Sequence, residues 1–93
     1  MIIGTAKVSL HANWVHSLKE KRMIVQSIIA KVKIKFNVSI AEVENQDYHQ
    51  SIVIGIACVT NSSRLANSIM QNVVEYIEEH TDALVENVEF EIL

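Results

Sequence analysis

Cations crowd the start of one predicted helix: Lys19, Lys21 and Arg22 occupy its first turns, with Lys33 further along the same edge. Free backbone N–H groups and the positive end of the helix dipole favour an anion at such an end. Cations placed there forgo roughly a few tenths of a kcal/mol each, and in combination they make a phosphate site. Lys31 and Lys35, at i and i+4, edge the other side of the helix, where their stems also cover apolar surface.

The remaining chemistry-bearing residues are scattered. His11, His16, His49 and His80 show no zinc-site spacing, and Cys58 has no cysteine companion, so neither metal nor other cofactor is expected. Glu42 and Glu44 stand two apart on one strand face and read as paired carboxylates, a pattern equally served by an acidic edge strand. A hydrolase of acylphosphatase type needs a phosphate-cradling loop, but the only glycines, Gly4 and Gly55, fall within strands. No catalytic residue is assigned, and a non-enzymatic protein is expected. Three apolar residues are candidates for partner contact: Trp14 in a polar connection, and Met23 and Ile34 on the back of the first helix.

These residues belong to a chain of 93 residues, enough for one domain spanning 1–93. Its 49% hydrophobic and 20% charged content suits a packed core, and two glycines with no proline imply short turns. The net charge of −3 is unevenly spread. Residues 1–36 hold seven bases and one acid, and residues 37–93 hold Arg64 against ten acids. Either the basic half offers a cationic surface or the two halves pair with each other. A lone cysteine among apolar neighbours fits a reducing cytoplasm, and neither a signal-peptide core nor a membrane-spanning run is present.

Period-2 alternation marks a strand over 2–12, with Gly4, Ala6, Val8 and Leu10 on one face and Thr5, Lys7, Ser9 and His11 on the other. Ser17 and Glu20 have capping-box spacing, so a helix is predicted from about Leu18 to Phe36. Leu18, Val25, Ile28, Ile29, Val32 and Phe36 form its core stripe, and Asn37 suits a left-handed residue after it. A strand over 38–45 follows, then a strand over 51–60 that is apolar on both faces and therefore central. A second helix opens near Asn61–Arg64, with Leu65, Ile69, Val73, Tyr76 and Ile77 inward; a last strand covers 84–93. The order βαββαβ predicts a ferredoxin-like α+β fold, a four-stranded antiparallel sheet with two helices on one face. Lys7 should meet Glu89 or Glu91 across the sheet. The open face carries no aromatics on its third strand, which argues against base stacking there.

Two blocks at this separation, Ser17-Leu18-Lys19-Glu20-Lys21-Arg22 and Phe36-Asn37-Val38-Ser39-Ile40-Ala41-Glu42-Val43, resemble the YlxP-like family of small bacterial proteins, as do Gln46-Asp47 and the apolar run 52–59. The connection Asn13-Trp14-Val15 departs from the Pro-Gly common in that family. The resemblance implies a ferredoxin-like fold, an unassigned function and genes beside those of translation and ribosome maturation. It brings no catalytic residue. The expected role is a binding module contacting phosphates of ribosomal RNA or of a ribosome-assembly intermediate through Lys19, Lys21, Arg22 and Lys33. The alternative is a homodimeric protein-interaction or small-ligand regulatory domain.

Overall fold

The computed structural model describes residues 1–93. The elements are β1 (Ile2–His11), α1 (Leu18–Lys35), β2 (Ser39–Glu44), β3 (Ser51–Thr60), α2 (Ser63–Glu79) and β4 (Leu84–Ile92). The strands form one antiparallel sheet in the order β2-β3-β1-β4, so β1 and β3 are central as expected. This is the ferredoxin-like arrangement, with both helices on one face.

Alternation sorts each strand between the helix layer and the open face. Ala6, Val8 and Leu10 of β1 and Ile52, Ile54, Ile56 and Cys58 of β3 are buried beneath the helices. Val25, Ile28 and Val32 of α1 and Ala66, Met70, Val73, Val74 and Ile77 of α2 close the core from above. The open face takes Thr5, Lys7 and Ser9 of β1, paired respectively with Ala57, Gly55 and Val53 of β3.

Three local expectations are corrected. Leu65 is 48% exposed, and the inward stripe of α2 starts instead at the fully buried Ala66. Close approach of helix to sheet sets this rotation: a Cβ on Gly4 would lie 2.9 Å from Ala66 Cβ and 3.3 Å from its carbonyl oxygen. The chain also leaves α1 without a left-handed Asn37. Phe36 is already extended (φ −126°, ψ 145°) while its N–H still bonds Val32 O. Phe36 packs edge-on against Tyr76, with ring centroids 5.5 Å apart, and this contact fixes the exit direction. The one non-glycine residue with positive φ is Asn45 (φ 58°), at the end of β2. Lastly, Glu42 and Glu44 do not share a strand face: a register shift between them makes Val43 an extra residue of β2, so Glu42 reaches Lys21 of the helix layer and Glu44 reaches Lys7 on the open face. Its side chain leans over Gly55, where an added Cβ would lie 2.8 Å from Val43 Cγ1.

Candidate phosphate-binding face

Helix α1 begins as its sequence predicts. Ser17 Oγ accepts the Glu20 N–H at 3.1 Å, and the Ser17 hydroxyl points to Glu20 Oε1 at 3.5 Å. The buried residues of the helix are Lys21, Val25, Ile28 and Val32, which recur at the spacing of a core stripe. At 3.6 residues per turn, Lys19, Arg22 and Lys33 project within an arc of about 60° on one flank of the helix, between the core stripe and the back that carries Met23 and Ile34. All three are exposed, and the helical rise spreads them over about 21 Å. No carboxylate pairs with any of them, since every ion pair in the molecule involves Lys7, His11 or Lys21. The two charged halves of the sequence therefore neutralise each other only at Lys7 and Lys21, and the α1 stripe stays free.

Lys21 does not belong to this surface. It is 1% exposed, and its ammonium donates to Asn45 O at 2.5 Å and Tyr48 O at 2.7 Å. Glu42 Oε2 lies 2.8 Å away, off the direction of a hydrogen bond, so that contact is an ion pair only. Two carbonyls and a carboxylate surround this ammonium inside the fold, and at 1% exposure no face of it is left for a phosphate. The assignment of Lys21 to anion binding is thus withdrawn. Its actual role is to tie α1 to the turn that joins β2 and β3. The signal lay in the sequence: Lys21 falls in phase with Val25, Ile28 and Val32, and Glu42 shares a strand face with Ile40. A charge in phase with an apolar stripe calls for a buried partner.

The remaining helix lysines, both exposed, lean toward α2. Lys31 Nζ lies 3.4 Å from His80 O, and Lys35 Nζ sits 5.4 Å from the centre of the Tyr76 ring. The partner-contact candidates separate into two places. Trp14 and Met23, 44% and 64% exposed, line one cleft of 290 Å³ with Ile24, Ser27, Thr81 and Asp82 among its other walls. Ile34 stands apart from it, 88% exposed.

On the open sheet face Lys7 meets Glu89 as expected, at 3.2 Å, and also Glu44 at 3.2 Å. Hydrogen bonds to Glu89 and then Glu44, with their negative charges, raise the Lys7 pKa above the ordinary 10.5. Small side chains (Thr5, Ser39, Ala41, Gly55, Ala57) floor a 680 Å³ depression beside this bridge. At the sheet end His11 Nδ1 lies 3.5 Å from Glu86 Oε1. Acids accordingly dominate this face, whereas unpaired cations dominate the outer flank of α1.

Fold and surface together define a small ferredoxin-like domain whose unpaired cationic stripe lies on a helix rather than on the sheet. Residues 3–90 match the family model described as a protein of unknown function, DUF503, and the chain belongs to that family. It is 42% identical over 62 residues to the uncharacterized protein YlxP of Bacillus subtilis (strain 168), covering 67% of each chain. Among solved structures it is similar to a de novo designed protein with ferredoxin fold, LFR1 1 (TM-score 0.60, 18% identity, 99% of this chain and 85% of that one). It also overlaps SnoaB, a cofactor-independent oxygenase from Streptomyces nogalater (TM-score 0.47, 10% identity, 99% and 89% covered). No helix is long and apolar enough to cross a membrane.

Proposed function

We propose that this domain is a non-enzymatic cytoplasmic binding module that holds phosphates of ribosomal RNA, or of a ribosome-assembly intermediate, along the outer flank of α1. The observation that carries the reading is the stripe of Lys19, Arg22 and Lys33, three exposed cations in one arc with no carboxylate partner. Phosphate contacts of this kind give affinity without sequence readout, and each released counterion adds salt dependence. The acidic sheet face adds direction: it repels the same polyanion and turns the helix layer toward it. The choice of ribosomal RNA among polyanions rests on the translation-linked gene neighbourhood that the family resemblance implies.

The test is co-sedimentation with ribosomal subunits and assembly precursors across a salt series, comparing the natural chain with a Lys19→Ala, Arg22→Ala, Lys33→Ala variant. Lys21 is left intact because it is buried. Retention on one particle, weakened in the variant with a salt slope shallower by about 2 to 3, is the expected result. Equal binding and equal slope for both proteins would remove the stripe from the site.

A further inference from the structure

We propose that the cleft between α1 and the turn from α2 to β4 is a nucleobase site, taking one unstacked guanine of single-stranded RNA. The assignment rests on the phosphate-binding reading above and adds to it a second, base-reading element. The cleft holds 290 Å³ and its lining is half apolar and half polar, a mixture suited to a flat heterocycle with hydrogen-bonding edges. Trp14 supplies an aromatic wall, and Met23 and Ile24 continue it as an apolar surface. Bases stack on such platforms irrespective of sequence.

The polar half is more selective. The Asp82 carboxylate is an acceptor with two oxygens, which match the adjacent N1–H and N2–H donors of guanine. Cytosine and adenine place a ring acceptor beside their amino group, and uracil has one N–H between two carbonyls, so a carboxylate suits them less. Thr81 Oγ1 already accepts the Ala83 N–H at 3.2 Å, which leaves its O–H free to donate to guanine O6. His80 forms a fixed border: its Nδ1–H donates to Tyr76 O at 2.8 Å and its ring stacks on Tyr76 at 3.9 Å.

Cations flank the cleft on both sides. Lys31 Nζ is held 3.4 Å from the carbonyl of His80, a lining residue, and Lys19 precedes Met23 by one turn on the exposed back of α1. A nucleotide with its base against Trp14 thus has cationic residues near the cleft to attract its phosphates. This continuity with the cationic helix favours a nucleotide over an apolar protein side chain as the occupant.

Trp14 is the single tryptophan of the chain, so its fluorescence reports on this cleft alone. The full chain is titrated with guanosine, adenosine, cytidine and uridine monophosphates, and with end-labelled UUUGUUU RNA followed by anisotropy. Guanosine monophosphate should quench Trp14 saturably, with the other three at least about fivefold weaker. Asp82→Asn, with an unchanged circular dichroism spectrum, should erase that preference while stacking persists. Absence of quenching by guanosine monophosphate, while UUUGUUU still binds by anisotropy, overturns the cleft and leaves the stripe standing. Quenching by guanosine monophosphate without any binding of UUUGUUU removes the stripe and overturns single-stranded RNA as the occupant of the cleft. Equal quenching by all four nucleotides overturns the guanine assignment. Silence in both measurements removes both sites and returns the cleft to a protein side chain.

Discussion

The outer flank of α1 and the open face of the sheet both present lysine to solvent, but among opposite neighbours. On the sheet, antiparallel register lays β4 beside β1, and a hairpin return brings β2 within a long side chain's reach, so Lys7 is bracketed by Glu89 and Glu44. On the helix, Lys19, Arg22 and Lys33 are exposed on one flank, and no other element supplies a carboxylate. Lys21 marks the boundary between the two regimes, on the same helix as the stripe but turned into the fold, where Glu42 and two turn carbonyls receive it. The same residue type is therefore bridge, surface charge or internal tie according to what the adjacent element places within about 3 Å of it.

The largest effect expected from testing this contrast is at Lys21. Lys21→Ala leaves Glu42 buried without its cation and two turn carbonyls without a donor, which should cost about 3 to 5 kcal/mol in urea denaturation. A loss below about 1 kcal/mol would mean that Lys21 is surface-like after all, and would return it to the stripe.

The two glycines sharpen the contrast at a smaller scale. Gly4→Ala drives a methyl against Ala66, backbone carbonyl included, in the layer that cannot give, and should destabilise by about 1 to 3 kcal/mol. Gly55→Ala meets only the side chain of Val43, 45% exposed on the open face and free to swing away, so its effect should stay within about 0.5 kcal/mol. Equal losses at both sites would show that the open face is packed as tightly as the core.

The smallest effect is the pH dependence of Lys7. Its pKa is raised in the fold by the Glu89 and Glu44 contacts, so the folded state holds the proton more tightly than the unfolded chain does. The resulting stability is fully present below 10.5 and is lost as pH rises through the higher folded value. Lys7→Met should flatten this slope between native and variant stability curves in alkaline buffer; an identical slope in both proteins would place Lys7 free of its bridge.

Element order and strand pairing followed from alternation, capping spacing and the doubly apolar β3, because those patterns report burial along a single element. The Lys7–Glu89 contact followed from register in the same way. Exposure of Lys19 and Arg22 was legible from helical phase, and burial of Lys21 was legible too once phase is given priority over charge. Leu65 was misplaced because the rotation of α2 about its axis, here a shift of one residue, is settled by the Gly4–Ala66 contact, which no helical wheel contains. The gathering of Trp14 and Met23 with Thr81 and Asp82 had no sequence signal at all, since the residues lie in three separate stretches that meet only when α1 and α2 pack.

By itself, the sequence determined the α+β class, the central strands, the start of α1 and the uneven charge of its two halves. Those properties depend on neighbours a few residues apart, where periodicity and capping act. Only the tertiary structure decided which cations remain free, that Glu42 and the β2–β3 turn take Lys21, and that a cleft opens beside Trp14. Such outcomes turn on the rotation and docking of whole elements, and the short reach of hydrogen bonds and ion pairs makes them sensitive to shifts of an ångström or two.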